Sequence, residues 1–315
     1  MFGFTIDQNI IKEEISLKAL YDIVIIGGGP GAYNASIYAA RNGLSVLMIS
    51  KESGGQLINT NVIDNYLGYY NISGEELNNR FLNHLDNFDI DKLMNSEVIN
   101  LIKRNNLFEV TLLDERIIKG KSVIIATGGN PRKLNVKGED TFTGKGVSYC
   151  VICDGAFYNK KDVLVVGGGN SALEAALDLS NYANKVHMVQ LLDNFTGDKL
   201  LIDKVKRSDN ITYQFNSEVI EIMGDDQVNS IKVKEKDKVS ILLVDGIFVE
   251  IGIIPNSGLV KELVDLNNFG EVITNNDQET SLEGLYAIGD VTNFKYKQVI
   301  TAVSQGAVAA LNINK

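Results

Sequence analysis

Cys150 and Cys153 are the residues of this sequence whose type and spacing most directly suggest chemistry. A Cys-x-x-Cys pair closes a small disulfide loop, and its first thiol can be activated by its surroundings. Exchange at such a pair requires an attacking thiolate and a good leaving sulfur. Asp154 follows the pair directly and is placed to donate or accept the proton that this exchange moves. The sequence therefore predicts a redox-active dithiol with Asp154 as its acid–base partner. The alternatives are two thiols that never pair and an acid that only caps a helix.

The composition argues against several other kinds of site. The 315 residues include two His and two Cys, too few for a His-rich metal centre, a cysteine zinc site or a disulfide framework. With 30 basic and 40 acidic residues, the chain lacks the basic surface that nucleic-acid binding requires. It has no apolar run of the roughly 18 residues that span a bilayer, and residues 1–20 do not have the pattern of a secretory signal. We therefore expect a cytoplasmic protein that uses no metal, nucleic acid or membrane.

Two glycine-rich segments occur in the same sequence context. Gly27-Gly-Gly-Pro-Gly-Ala32 follows the apolar run 21–26 and precedes a helical stretch over 35–42. Gly167-Gly-Gly-Asn-Ser-Ala172 follows the apolar run 162–166 and precedes another helical stretch. Glycines in a strand–turn–helix unit let the backbone approach a pyrophosphate at the helix N-terminus. Two copies predict two nucleotide-binding-type units. For the second, a turn kept only for strand–helix packing is the alternative.

The order of these units predicts an α/β fold of two Rossmann-like, three-layer (ββα) domains, the second inserted into the first. The strand-like segment 240–254 is expected to lead back to the first domain, which gives domains at 1–128 with 244–315 and at 129–243. Residues 204–238 are predicted to form antiparallel strands at a solvated edge. Near the end, Gly289-Asp290 follows a short apolar strand. Because open α/β sheets bind ligands at the carboxyl ends of their strands, Asp290 is expected to contact a polar cofactor.

Eight short segments together carry a family resemblance. They are GGGPGA at 27–32, GGQL at 54–57, IDNYLG at 63–68, IIATGG at 124–129, CVICDG at 150–155, GGGNSALEAALDLS at 167–180, FVEIGIIPN at 248–256 and the AIGDV…YKQ run that ends at Gln298. In this order they resemble the low-molecular-weight, flavin-dependent thioredoxin reductases. The resemblance implies FAD in the first domain, a pyridine-nucleotide-type fold around the cysteines and a homodimer. It also implies electron flow from flavin to disulfide to a thioredoxin.

The resemblance further assigns residues to these roles. Gly27, Gly29 and Ala32 would hold the FAD pyrophosphate, and Glu52 and Gln56 would lie near the adenosine and flavin portions. Polar contacts to the flavin and its ribityl chain would come from Asn65, Asp290 and Gln298. The remaining residues expected to line the cofactor are Pro30, Gly31, Gly55, Leu57, Val98, Ala126, Thr127, Gly128, Gly289, Lys297 and Val299. Cys153 would face the flavin, and Cys150 would attack the protein substrate.

One segment departs from the family pattern. Members that use NADPH carry His-Arg-Arg-x-x-x-Arg after the second unit, and its arginines hold the 2′-phosphate. This chain has Gln190-Leu-Leu-Asp-Asn-Phe-Thr196 instead. A charged hydrogen bond contributes about 1.5–3 kcal/mol, so losing two or three weakens NADPH binding by about a thousandfold or more. NADH recognition normally uses an acid at the end of this strand, where Gln190 is neutral. We therefore expect the second glycine turn to persist for packing.

Three hypotheses follow for the electron donor. The first is reduced ferredoxin, as in the ferredoxin-dependent flavin thioredoxin reductases that lack the NADPH motif. The second is NADH, bound in an altered pocket. The third is a small-molecule dithiol oxidase, in which substrate thiols reduce the flavin and oxygen takes the electrons. A non-enzymatic flavin-binding scaffold conflicts with the intact Cys150–Cys153 pair. The sequence-based prediction is the first of these, with thioredoxin as the acceptor.

Overall fold

The structure is a computed structural model that describes residues 17–60 and 63–313. Residues 1–16, most of the segment in which a secretory signal was sought, lie outside the described part. The first portion contains, in chain order, β1 (Tyr21–Ile26), α1 (Pro30–Arg41), β2 (Val46–Ser50), α2 (Gly74–Leu85), β3 (Asp91–Met94), β4 (Val98–Arg104), β5 (Leu107–Leu112) and β6 (Ile117–Ile125). The helix α1 starts five residues earlier than the sequence predicts, because the fixed φ of Pro30 suits the first helical position.

The middle portion forms a second α/β unit. It contains β7 (Gly129–Pro131), α3 (Glu139–Phe142), β8 (Val147–Ser148), α4 (Val151–Asp154), β9 (Asp162–Val166), α5 (Asn170–Ser180), β10 (Lys185–Val189), α6 (Lys199–Arg207), β11 (Ile211–Gln214), β12 (Ser217–Gly224), β13 (Val228–Glu235), β14 (Lys238–Leu243), β15 (Gly246–Val249) and β16 (Ile253–Pro255). The chain then returns to the first unit with β17 (Leu285–Ala287) and α7 (Val299–Asn312).

The two units have separate sheets. The first sheet has the order β3-β2-β1-β6-β5-β4, and β17 pairs in parallel with the end of β6. The second sheet has the order β11-β10-β9-β15-β8, with parallel pairing throughout. Buried apolar side chains cover both faces of each sheet, and the α1–α7 pair covers one face of the first. This is the predicted fold of two layered α/β units, with the second inserted into the first.

The return of the chain to the first unit comes later than the sequence predicts. The strand β15 lies inside the second sheet, between β9 and β8, rather than leading out of it near residue 244. All four of its residues are buried, as a strand covered on both faces requires. The crossing follows β15, where β16 pairs antiparallel with β7 and the two chain passages between the units lie side by side.

The prediction for residues 204–238 was only partly right. The strands β12, β13 and β14 form an antiparallel meander, as expected. The segment begins, however, inside the helix α6, and β11 pairs in parallel with β10. Alternating polar residues alone do not distinguish a short amphipathic helix from an edge strand.

Candidate active site

The first glycine turn forms a cradle at the N-terminus of α1. Gly27 has a φ of +145°, and a side chain there would collide with the Ala126 carbonyl oxygen at 2.2 Å. Gly29 is the N-cap of α1, and a Cβ added to it meets nothing within 4 Å. The space beside Gly29 is therefore empty, and it lies at the N-terminus of α1, where backbone amides can bind a phosphate. Gly31 serves packing instead, because a Cβ there would lie 3.0 Å from the Ala302 carbonyl oxygen on α7.

A loop after β2 closes one side of this cradle. The Gly54 amide donates to the Gly28 carbonyl at 2.6 Å and to the Tyr33 hydroxyl at 2.9 Å. A Cβ on Gly55 would lie 3.7 Å from the Gly29 Cα, so this glycine borders the open space. Leu57 is buried in a small apolar cluster that anchors the loop, whereas Glu52 is exposed beyond the end of β2. The exposed carboxylate occupies the position from which an acid contacts a nucleotide ribose.

Asp290 lies at the carboxyl end of β17, as the sequence predicts. Burial raises the pKa of its carboxyl group, and the charge of Lys297 opposes that shift. Among the described residues, no donor forms a hydrogen bond with this carboxylate. The adjacent Gly289 has a φ of +73° and donates its amide to the Gln305 side chain at 2.7 Å. A partly buried carboxylate without a protein donor fits the hydroxyl groups of a bound cofactor.

Polar side chains between the two units form a further wall. Thr127 donates its hydroxyl to the Asn256 carbonyl at 2.7 Å, and Gln56 donates its amide to the Asn130 side chain at 2.9 Å. Asn130 in turn donates to the Asn256 side chain at 3.1 Å.

The remaining residues that were predicted to line the cofactor do not belong to this polar network. Ala126 and Gly128 follow β6, Val98 packs on the first core, Val299 packs beside Leu57, and Lys297 forms an ion pair with Glu271 at 2.8 Å.

The cysteine pair forms a disulfide at the N-terminus of α4. Cys150 is bonded to Cys153 and is the N-cap of this helix. The Cys153 amide donates to the Cys150 sulfur at 3.2 Å. The Ser148 hydroxyl accepts from the Cys150 amide at 3.1 Å and donates to the Asp154 carboxylate at 2.6 Å. Burial raises the pKa of Asp154, and the Ser148 hydrogen bond opposes this shift. Asp154 is therefore connected to the dithiol through Ser148, a residue to which the sequence analysis gave no role.

Gln298 connects the disulfide to the first unit. It is the N-cap of α7, where its backbone amide donates to the Thr301 hydroxyl at 3.2 Å. Its side-chain nitrogen lies 3.9 Å from the Cys150 sulfur, and its side-chain oxygen accepts from Asn65 at 3.2 Å. Asn65 and Gln298 were both predicted to contact the flavin. The structure thus brings the disulfide against Gln298, which also binds Asn65, the other of these two residues.

The second glycine turn repeats the geometry of the first. Gly167 has a φ of +133° and approaches the Glu250 carbonyl, as Gly27 approaches Ala126. The space beside Gly168 is filled by the Gln190 side chain, 2.4 Å from an added Cβ. Gly169, the N-cap of α5, is open, with only the Thr196 hydroxyl oxygen within 4 Å, at 3.9 Å. Packing therefore explains why glycine is present at positions 167 and 168, as the sequence analysis expected of the whole turn. It does not explain the glycine at position 169, which is open.

The fold and site define a class of protein with two dinucleotide-type α/β units and a redox-active disulfide between them. A model of the pyridine nucleotide-disulphide oxidoreductase family matches residues 21–306. The chain belongs to this family. Its cofactor is FAD. The open N-terminus of α1 at Gly29 and the buried Asp290 carboxylate have the space and the polar group that would fit this cofactor.

Named relatives agree with this assignment. The chain is 37% identical over 301 residues to the F component of alkyl hydroperoxide reductase in Staphylococcus aureus, covering 95% of this chain and 59% of the relative. It therefore spans about three fifths of the length of the curated relatives it matches. Among solved structures, the thioredoxin reductase of Streptococcus pyogenes has a TM-score of 0.90 at 38% identity, covering 95% of this chain and 98% of that one. The thioredoxin reductase of Lactococcus lactis in its FR conformation has a TM-score of 0.63 at 34% identity, covering 93% and 98%.

Membrane spans and metal clusters are absent from residues 17–60 and 63–313. No helix there is long and apolar enough to cross a membrane. Within the same ranges, no group of three or more His, Cys, Asp and Glu side chains is arranged to hold a metal ion.

Proposed function

We propose that this chain is a flavin-dependent disulfide reductase of thioredoxin reductase type, passing electrons through the FAD site and the Cys150–Cys153 pair to a thioredoxin. The observation that carries the proposal is the contact of Gln298 with both Asn65 and the Cys150 sulfur. It holds the disulfide against the predicted flavin site, where two-electron reduction of the S–S bond can occur. FAD, when bound, can join one-electron and two-electron carriers. Thioredoxin as the acceptor and a homodimeric assembly follow from the family resemblance.

The hydrogen bond at the start of α4 supports distinct roles for the two sulfurs. The Cys150 sulfur accepts the Cys153 amide, so a thiolate at Cys150 is stabilised in the reduced protein. Exchange begins with thiolate attack on the substrate disulfide, which favours Cys150 as the attacking residue. Cys153 then closes the internal disulfide again and releases the reduced substrate.

Asp154 is expected to move the protons of this exchange. We predict that Asp154→Asn lowers turnover by about 100-fold, because general acid–base catalysis typically contributes at least that factor. The raised pKa keeps the Asp154 carboxyl group protonated to higher pH than an exposed aspartate. The rate of wild-type turnover should therefore fall as the pH rises and this carboxyl group ionises. The measurement is the pH profile of thioredoxin reduction. Ser148→Ala keeps the Asp154 carboxyl group but removes the hydroxyl's hydrogen bonds to Asp154 and to the Cys150 backbone, and should show a smaller loss. An Asp154→Asn profile identical to that of the wild type would contradict this role.

For the electron donor, we propose NADH ahead of NADPH. The open N-cap at Gly169 leaves room for a pyrophosphate. Gln190, at the end of β10, is buried beside Gly168 and donates its side-chain amide to the Asn194 carbonyl at 3.2 Å, so the strand ends without a charged group. Residues 190–198 contain no basic side chain, and Leu191 and Leu192 are 64% and 50% exposed. This loop, which carries two acidic side chains, Asp193 and Asp198, offers no basic partner for a 2′-phosphate.

Reduced ferredoxin is the second candidate, favoured by the same absence of basic residues from 190–198. A plant-type ferredoxin near −400 mV lies roughly 130 mV below a thioredoxin near −270 mV, which is about 6 kcal/mol downhill for two electrons. The small-molecule dithiol oxidase of the sequence analysis has no structural observation in its favour, and an aerobic assay with small dithiols tests it.

An anaerobic titration of the flavin absorbance with NADH, NADPH and reduced ferredoxin tests the donor, with released thioredoxin thiols as the second readout. We predict that NADH bleaches the flavin and that Gly169→Val, which fills the open N-cap, lowers this rate by about 100-fold with little change in bound FAD. If ferredoxin is the donor, Gly169→Val should reduce thioredoxin as fast as the wild type does. Absence of thioredoxin reduction with all three donors would contradict the proposed function itself.

A further inference from the structure

Lys297 folds back over the segment that joins β17 to α7. Its ammonium group donates to the Thr292 carbonyl and forms an ion pair with the Glu271 carboxylate at 2.8 Å. The other carboxylate oxygen of Glu271 accepts from the Asn267 side chain at 2.7 Å. The side chains of Lys297 and Glu271 are only 14% and 20% exposed, so little salt or water screens the pair. The Lys297 side chain is therefore held in one position.

The backbone beside Glu271 is anchored to the same segment. Val272, the next residue, donates its amide to the Val291 carbonyl at 2.9 Å. Its carbonyl accepts the Asn293 amide, also at 2.9 Å. The Glu271 carboxylate thus starts from a backbone that is fixed to the beginning of the segment, and it holds Lys297 near the end, directly before Gln298.

The Lys297 backbone determines which way the Gln298 amide group points. The side-chain nitrogen of Gln298 donates to the Lys297 carbonyl at 2.9 Å, and its side-chain oxygen accepts from Asn65 at 3.2 Å. Because a carbonyl can only accept, these two contacts admit one orientation of the amide. The nitrogen carries two hydrogens, and the second can be donated to the Cys150 sulfur, 3.9 Å away.

We propose that Glu271 is a positioning residue of the dithiol. By holding Lys297, it keeps the Gln298 amide directed at the Cys150 sulfur, where the amide stabilises the Cys150 thiolate. The inference rests on the dithiol of the proposed function. It concerns a residue to which the sequence analysis assigned no role.

The reduced state of the pair is where this amide has its effect. Reduction breaks the S–S bond with two electrons and one proton and leaves one thiol and one thiolate. A thiolate is the stronger acceptor, because hydrogen bonds to a charged group are stronger than those between neutral groups. The Cys153 amide donates to the Cys150 sulfur at 3.2 Å, and Gln298 supplies a second donor from the other unit. Both donors favour the thiolate over the thiol.

Other charged groups lie on the elements around Cys150. They are Asp154 on α4, Glu174 on α5 with its partner Lys295, Glu250 after β15, and Asp290 and Lys297 on the segment between β17 and α7. A Glu271→Gln change leaves every one of these groups in the chain. A change in the ionisation of Cys150 in this variant therefore reports on the contact between Glu271 and Lys297.

The test is the pH dependence of Cys150 alkylation by iodoacetamide in the reduced, FAD-loaded full-length protein, localised by fragment mass spectrometry. We expect Glu271→Gln to slow alkylation at pH 7 by about three- to tenfold, which corresponds to a midpoint about half a unit to one unit higher in pH. The sign of the effect identifies its cause. Loss of a negative charge that acted only through space would favour the thiolate and speed alkylation.

Variants of Gln298 and Lys297 test the route of the effect. Gln298→Leu removes the donor and should slow alkylation at least as much as Glu271→Gln does. The double variant should match Gln298→Leu alone, because Glu271 acts through Gln298. Lys297→Met should shift the profile in the same direction as Glu271→Gln, whereas Lys297→Arg keeps a cation for Glu271 and should leave the profile close to that of the wild type.

Glu221→Gln is the matched control. Glu221 is 18% exposed and pairs with Lys137 and Lys232 beside the meander of the second unit, so the same chemical change is made at a similar burial. Its profile should superpose on that of the wild type. A Glu271→Gln profile that is unchanged or moves to lower pH overturns the inference. A double variant that is slower than Gln298→Leu also overturns it, because Glu271 would then act by another route.

The alkylation readout also separates this inference from the proposed function, since it needs no electron donor and no thioredoxin. Thioredoxin reduction by the wild type together with an unchanged Glu271→Gln profile removes only the role of Glu271. Shifted profiles in a protein that reduces no thioredoxin support the positioning role and remove the function.

Discussion

Replacing either cysteine with serine is expected to lower thioredoxin reduction by at least about 1,000-fold, because the pair acts as a unit and loss of one member removes the whole route. The disulfide is the one cysteine pair of the sequence, so no other residue can replace it. Serine is a good N-cap and keeps the hydrogen bonds at the start of α4, so the fold should survive the Cys150→Ser change. The measurement is released thiols under anaerobic conditions, with flavin absorbance and circular dichroism recorded on the same samples.

The two serine variants should differ in what they trap. Cys153→Ser leaves the Cys150 thiolate to attack a substrate disulfide and removes the residue that resolves the product. With a thioredoxin that lacks its own resolving cysteine and carries thionitrobenzoate in a disulfide on its remaining cysteine, the Cys150 thiolate should displace thionitrobenzoate and form a stable mixed disulfide, whereas Cys150→Ser should not. The reverse pattern would exchange the roles of the two sulfurs. Appreciable turnover in either variant would remove the dithiol from the mechanism.

The second large effect is expected at Gly29. Gly29→Val should lower FAD binding by at least about 100-fold, because the new side chain occupies the open space at the N-terminus of α1. The substitution is compatible with the backbone, since Gly29 has a φ of −100° and a ψ of 179°. The wild type should purify yellow with FAD bound, and the variant should purify nearly colourless. Flavin fluorescence after heat release measures the occupancy.

Gly169→Val is the matched control for this prediction. Gly169 is also an N-cap, with a φ of −83° and a ψ of −175°, so the helix loses the same capping residue. This variant should keep its FAD, because the change lies in the second unit. Equal flavin loss in both variants would indicate that a helix start, rather than the cofactor cradle, had been damaged. A yellow Gly29→Val protein would place FAD elsewhere.

Local sequence determined the strand–turn–helix units and the disulfide. The run Tyr21–Ile26 is buried on both faces, and the glycines that follow it adopt the turn that only a residue without a side chain permits at Gly27. The same logic found β9, the second turn and the presence of a helix after it, because these elements depend on neighbours in the chain. Cys150 and Cys153 are three residues apart, a spacing that the first turn of a helix closes. Asp290 was found from its position at the end of a strand.

Contacts between distant parts of the chain were decided by the tertiary structure. Gln298 meets Cys150 across 148 positions of sequence, and Phe248 on β15 pairs with Ser148 on β8 across 100 positions. The placement of β15 between β9 and β8 depends on which sheet has room for a fully buried strand, and an apolar run does not encode that choice. Long-range contacts also decided whether the second glycine turn is open. The sequence shows three glycines and a loop without basic residues, but whether Gly169 is covered depends on how residues 190–198 fold back over the turn. Local spacing thus determined which groups could react, and long-range packing determined which of them meet, because a side chain's neighbours across a sheet edge come from segments that the chain brings together only on folding.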